Sequence, residues 1–303
     1  MKNRHILNSP RLLAIRKKKN KKLKNMILIY LVFLLAVLFG LVFYSRSEKL
    51  NIQNVEISGN KTIENKIIEE TAKNIMAGYY FGFVPKTNFL FYPKKEIRND
   101  LAYKFKILKD ISFNLKNLQT LEITLAEREA KYTWCGNYLI SPEDKLPDEN
   151  PLSESAKLQD GECYFMDEKG YIFDKAPYFS GEVYFRFYGA INTGEAGPLG
   201  SYFFQSNFDK LISLKEALEK IGINPVIYYF KDNGEARIFL SPFSARQIGP
   251  EIIFKIDSDP DKIAENLQAV LATEPLQSDF KNKYSSLLYI DLRLGNKVYY
   301  KFR

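Results

Sequence analysis

MILIYLVFLLAVLFGLVFY, residues 26–44, is a run of 19 residues without a charged side chain, Asn, Gln or Pro. As a helix rising about 1.5 Å per residue it reaches ~28 Å, close to the ~30 Å hydrocarbon core of a bilayer. A helix satisfies its own backbone groups, so such a run can cross lipid, whereas a buried core helix would not carry the flanks seen here. Tyr30 and Tyr44 sit towards its ends, suited to the interface, and basic residues lie on both sides. Residues 1–25 hold ten cations (Lys2, Arg4, Arg11, Arg16, Lys17, Lys18, Lys19, Lys21, Lys22, Lys24) and no acid. After the span come Arg46, Glu48 and Lys49. The positive-inside bias puts the N-terminus in the cytoplasm and residues 45–303 outside, a single-pass type II topology. A cleaved signal peptide has a shorter apolar core and a small-x-small cleavage site. Here the run leaves through Phe43-Tyr44-Ser45-Arg46, so the expectation is a retained signal anchor in the cytoplasmic membrane.

The formal charge of +8 resembles that of a nucleic-acid binder. Without the ten tail cations, 34 Lys and Arg face 36 Asp and Glu, a net −2 over residues 26–303. The basic character therefore belongs to a short tail beside a membrane, a topogenic signal with some attraction for anionic headgroups of the lipid bilayer. The tail has no aromatic residue, and no nucleic-acid partner is expected. Aromatics make up 15% of the chain, with 20 Tyr and 23 Phe, which favours a strand-rich region after the span.

Four segments follow: a basic tail, 1–25, expected to be mostly disordered; the span, 26–44; a small domain, 51–130; and a larger one, 131–303. The fold class is α+β. In the small domain, Ile52–Ser58 alternates as a strand and Gly59-Asn60 turns. Thr62 is placed to cap a helix bearing Ile63, Ile67, Ile68, Thr71 and Ile75, stopped at Gly78. After an aromatic loop, Tyr79–Phe91, Pro93 suits the first turn of a helix with Ile97, Leu101 and Phe105. Strands at Ile107–Leu115 and Thr120–Glu127 close the order strand, helix, helix, strand, strand.

The larger domain starts with strand-like Lys131–Trp134 and Asn137–Ile140. A polar loop follows, with Glu143, Asp144, Asp148 and Glu149 between prolines. Cys163–Met166 and Tyr171–Asp174 form a hairpin, with Gly170 supplying a positive φ. Val183–Tyr188 is a strand. Asn207 caps a helix carrying Phe208, Leu211, Ile212, Leu214, Leu218 and Ile221, ended by Gly222. Strands Pro225–Phe230, Arg237–Leu240 and Glu251–Ile256 precede a helix opened by Pro260, with Ile263, Ala264, Leu267, Val270 and Leu271 on one face, stopped before Pro275. Ser286–Leu294, a Gly295-Asn296 turn and Lys297–Phe302 end the chain.

A span after a basic tail, then NVEISGNKTI (54–63) and LEITLAEREAKYTW (121–134), resembles the FtsQ/DivIB family of bacterial cell-division proteins. The Leu-x-Ile-x-Leu-x-Glu-Arg run, a Trp a few residues on, FMDEKGYIFDKAP (165–177) with its Asp-x-x-Gly-x-x-Phe hairpin, and the terminal LLYIDLRLGNKVYYKF (287–302) are similar to that family's landmarks. Residues of about 185–280 match in pattern more than in motif. The resemblance implies a POTRA domain of β-α-α-β-β order at 51–130 and an FtsQ-type β domain at 131–303. It also implies a non-enzymatic divisome scaffold at the division septum. Its partners would be small single-span coiled-coil proteins, FtsB- or DivIC-like and FtsL-like, and the complex supports septal peptidoglycan synthesis. A POTRA-bearing scaffold of another envelope assembly is the alternative.

An extracytoplasmic cell-wall enzyme is the rival class. The only His is His5, in the tail, so Ser-His, Cys-His and His-based zinc sites cannot form beyond the span. No Gly-rich phosphate loop occurs. Asp257, Asp259 and Asp261 imitate the start of a calcium loop, but Lys262 stands where Gly is needed and Gln268 where Glu is needed. Asp259 before Pro260 reads instead as a helix cap. Neither cofactor nor metal is expected.

Two sets of residues remain. Cys135 and Cys163 are the only cysteines and both lie beyond the span. An oxidising compartment permits a disulfide between them, and two separately buried thiols are the alternative. The last strand, Lys297–Phe302, belongs at or near a sheet edge, where backbone groups can accept another strand. Val298, Tyr300 and Phe302 point one way, to the core; Lys297, Tyr299 and Lys301 point the other, to a partner. The FtsQ/DivIB resemblance implies the same location.

Overall fold

The computed structural model describes residues 10–139, 162–179, 181–192, 197–241, 249–295 and 297–303. The acidic cluster of Glu143, Asp144, Asp148 and Glu149 lies outside the described residues, as do His5, Ile140 and Asn296. The protein is α+β, with one N-terminal helix and a body dominated by sheet.

Helix α1, Pro10–Ser45, holds the apolar run. It is long and apolar enough to cross a membrane, with none of its most apolar window buried in protein. The basic segment expected to be disordered is helical from Pro10 onwards. The reason is local. Lys, Arg and Leu are good helix formers, no Gly or Pro falls between Pro10 and Gly40, and an established helix extends far more easily than one nucleates. Pro10 occupies the first turn, where its missing N–H is not needed.

The chain divides into two compact units, residues 1–104 with 110–127, which includes α1, and residues 105–109 with 128–303. In the first, β1 (Asn54–Ser58), β5 (Thr120–Glu127) and β4 (Leu108–Asn117) form a sheet in the order β1-β5-β4, with β1 parallel to β5. Helix α2 (Asn65–Met76) packs on β1 and on α3 (Lys94–Lys104). Val55, Ile68, Ala72, Met76, Ile97, Leu101, Leu121, Ile123 and Leu125 are buried, which is the period-2 pattern of the strands meeting the helical periods of α2 and α3. The helix face is rotated from the expected one. Ile67 is exposed, and Thr71, Ala72 and Met76 are buried with Ile68.

Thr62 does not cap α2; Glu64 occupies the cap position without a side-chain bond. The Glu127 carboxylate instead accepts from the backbone N–H groups of Lys61, Thr62 and Ile63 at 2.8–3.3 Å. Only pairing β1 with β5 could bring a carboxylate from the end of one strand to the turn after the other. The aromatic loop folds on a small ladder, β2 (Tyr79–Tyr80) with β3 (Val84–Pro85).

The second unit is built on one nine-stranded sheet among the described residues. Its order is β14-β13-β12-β11-β10-β9-β6-β7-β8. The strands are β6 (Tyr132–Trp134), β7 (Tyr164–Met166), β8 (Ile172–Lys175), β9 (Phe185–Tyr188), β10 (Pro225–Phe230), β11 (Glu235–Leu240), β12 (Glu251–Lys255), β13 (Leu287–Leu294) and β14 (Lys297–Phe302). Pairs β6–β9, β9–β10 and β12–β13 are parallel; the others are antiparallel. Helix α4 (Phe208–Lys220) lies between β9 and β10 and helix α5 (Pro260–Leu271) between β12 and β13, the two helices pack on each other, and the β7–β8 hairpin lies between β6 and β9. Crossovers are what parallel neighbours require.

The core is rich in aromatic side chains: Phe187 lies within 5.7 Å, ring to ring, of Tyr132, Phe185, Phe203, Phe208 and Tyr228. Tyr228 is fully buried and its hydroxyl donates to the Leu211 carbonyl. Residues 137–139 are not in a strand, a departure from the alternation of Asn137–Ile140. Asn207 takes the cap position of α4, but its side chain makes no capping bond. Asp259 does cap α5, accepting from Asp261 N–H at 3.1 Å. A short helix, α6 (Leu276–Asn282), follows Pro275, where no element was expected; only Leu276 in it is buried, too weak a period to see in sequence.

A candidate partner-binding edge

Among the described residues, strand β14 ends the nine-stranded sheet and pairs on one side only, with β13. The register places Tyr289 beside Lys301, Ile290 beside Tyr300 and Asp291 beside Tyr299. Val298, Tyr300 and Phe302 are half-buried and pack against the core. Lys297, Tyr299 and Lys301 are exposed, with Tyr299 at 51%. The alternation written in the sequence is thus the alternation of burial. The opposite edge, β8, is bonded at its start: Ile172 donates to Ser201 O at 2.9 Å and accepts from Gly200 N–H at 2.8 Å, and just before it Phe203 N–H donates to Gly170 O.

Sequence reasoning missed what lies beside the edge. On the face turned away from the helices, β11, β12 and β13 carry a chain of ion pairs. Arg237 reaches Glu251 at 3.1 Å and Glu235 at 2.7 Å. Arg293 reaches Glu235 at 2.5 Å and Asp291 at 2.7 Å. The Arg293 hydrogen bond holds the Asp291 carboxyl below its ordinary range. Burial pushes Glu235 up, but Arg237, Lys231 and Arg293 outweigh it and leave that carboxyl low. Glu251 goes the other way, raised by burial against the pull of Arg237. Nearby, a cleft of about 720 Å³ is lined by Tyr138, Tyr229, Arg237, Glu251, Tyr289 and Arg303 among others. Period-2 spacing of Glu235 with Arg237 and of Asp291 with Arg293 puts each pair on one face of its strand, the one signal of this chain in the sequence. Which charge meets which depended on the strand order.

Cys135 and Cys163 are joined by a disulfide, with Cα atoms 4.1 Å apart. Trp134, next to Cys135, is buried and donates to Gly189 O at 3.0 Å. Among the described residues no group of three His, Cys, Asp or Glu is placed to hold a metal. Arg128 pairs with the fully buried Asp167 and lies 3.9 Å over the Tyr171 ring. Asp167 Oδ1 also accepts from Lys169 and Tyr171 N–H groups, fixing the β7–β8 turn. Gly170 in that turn has φ +75°, and a Cβ there would come within 2.8 Å of Phe208.

The geometry is that of an α+β protein with one N-terminal helix long and apolar enough to cross a membrane, and, among the described residues, an open strand edge beside a charged sheet face. No protein-family model matches the chain, and no curated protein matches it.

Proposed function

We propose that this chain is a membrane-anchored, non-enzymatic scaffold of the FtsQ/DivIB type. In this reading α1 spans the cytoplasmic membrane with its basic end inside. Residues 51–130 are a POTRA domain and 131–303 the family's β domain, both outside the cytoplasm. The scaffold gathers FtsB/DivIC-like and FtsL-like single-span proteins at the division septum, in support of septal peptidoglycan synthesis. The observation that carries it is the open edge at β14, whose outer face is Lys297-Tyr299-Lys301. A strand added there gains main-chain hydrogen bonds, while an exposed Tyr between two cations selects an acidic partner segment with an apolar anchor. Supporting it are the sequence resemblance and the lack of any His beyond the span.

The test is co-purification of the full chain with an FtsB-like partner. Val298→Pro, or deletion of residues 297–303, is expected to abolish binding, since proline removes a ladder donor at the edge. Circular dichroism establishes that each variant is folded. A folded truncation that binds with unchanged affinity overturns the β14 site and moves it to the POTRA unit, whose sheet has edges at β1 and β4.

A further inference from the structure

We propose that the aromatic loop of residues 79–91 is a second membrane contact, seated in the headgroup layer around the outer end of α1. The inference rests on reading α1 as a span. Tyr79, Phe81, Phe83, Leu90 and Phe91 are all exposed, and Phe81 is exposed at 96%. Phe81 also has φ +49°, a left-handed conformation that a bulky residue adopts at a cost. The fold therefore holds an aromatic ring outward, against both backbone preference and water. Five large apolar side chains in one 13-residue loop form a patch of the kind that marks an interaction surface.

The loop's position names the occupant. It is fastened to the last turn of α1 and the residues just after it. Arg46 donates to Phe83 O at 3.2 Å and to Gly82 O at 3.3 Å, with its guanidinium 5.7 Å from the Tyr79 ring centre. The buried Asn88 side chain donates to Ser45 O at 3.3 Å. Phe89 N–H donates to Leu50 O at 3.1 Å, and Ile52 N–H to Thr87 O at 2.8 Å. A loop tied at several points to the exit of a span stays at that depth. Aromatic rings are favoured there, and Arg46, Lys49 and Lys86 bring cations to the phosphates. Phe43 and Tyr44, in the last turn of α1, are exposed as well.

The test uses the full chain in vesicles of phosphatidylcholine and phosphatidylglycerol. Phe81→Trp is compared with the wild type, whose Trp134 is the blank, in vesicles whose acyl chains are brominated near the headgroup or near the bilayer centre. Headgroup-proximal bromine is expected to quench the added fluorescence by at least half, and central bromine much less. Unchanged fluorescence in both overturns the proposal and leaves the patch to a protein partner. Carbonate extraction of the same vesicles reports on the anchor separately: release of the chain would end the spanning reading whatever the quenching shows. Phe81→Ser is the complement, expected to leave the far-ultraviolet spectrum unchanged.

Discussion

Glu127 and Arg128 are neighbours in the chain, and their side chains fasten different units. Glu127 gathers the N–H groups of Lys61, Thr62 and Ile63 after β1, while Arg128 pairs with Asp167 under the β7–β8 turn. The Glu-Arg step that stands out in the sequence is thus two local anchors placed where one unit gives way to the next.

Burial raises the Glu127 carboxyl, but the three backbone donors outweigh it and leave the pKa below its ordinary value. The carboxylate's stabilisation is complete above the ordinary carboxylate range and fades as pH falls through the lowered folded-state value. Glu127→Gln is expected to cost about 1–2 kcal/mol at neutral pH, comparable to losing a helix cap. Urea unfolding followed by circular dichroism should show the two proteins differing at pH 7 and converging in acid. A constant difference down to pH 3 would rule the mechanism out.

Asp167 is fully buried, so removing it leaves Arg128 with an uncompensated charge and frees two turn N–H groups. Asp167→Ala is expected to cost about 3 kcal/mol. Asp167→Asn keeps an acceptor for Lys169 and Tyr171 but sets an amide donor against Arg128, so it should recover only the part of that cost due to the turn. The fluorescence of Trp134, buried in the same unit, reports the unfolding midpoint for each.

Gly59 has φ +85°, and a Cβ there would lie 2.1 Å from Leu125 O. Gly59→Ala is expected to destabilise the first unit by at least ~2 kcal/mol. Gly82 has φ +77° but open space around it, so Gly82→Ala should cost only about 1 kcal/mol. Equal losses in denaturant melts would mean that the backbone angle alone matters.

The Cys135–Cys163 bridge closes a 28-residue separation. In the chain-entropy model such a loop stabilises by roughly 3–4 kcal/mol. The Cys135→Ser, Cys163→Ser double variant should lose most of that. Mass spectrometry of the unreduced protein after thiol alkylation should find neither cysteine modified.

On the proposed function, Tyr299→Ala at the edge is expected to weaken binding of an FtsB-like protein about tenfold, ~1.4 kcal/mol, without changing stability. Tyr300→Ala removes core packing instead and should cost ~1–3 kcal/mol of stability. Calorimetric titration with thermal melts separates the two effects. Loss of stability from Tyr299→Ala would mean that its ring serves the fold.

Much of this architecture is legible along the chain because its causes are local. The apolar run of α1, the alternation of β5 and β14, the Pro260 start of α5 and the glycine turn of the β7–β8 hairpin each follow from neighbouring residues. The structure agrees with β5, β14, α5 and the hairpin to within a residue or two, whereas α1 starts sixteen residues before the apolar run. Expectations failed where partners come from elsewhere in the chain. Thr62 looked like a cap because Ser and Thr usually cap from within their own turn, but Glu127 arrives from 65 residues away. The rotation of α2 towards Ala72 and Met76 was set by packing on β1 and α3. Beyond the edge position of the last strand, strand order had no signature. It decided that Arg237 and Arg293 share Glu235. Sequence determined which residues could form strands and helices and which faces were apolar, since those depend on backbone geometry and period. Tertiary structure alone decided which carboxylate meets which cation and that the 79–91 loop is tied to the end of α1, since those depend on contacts between residues far apart in the chain.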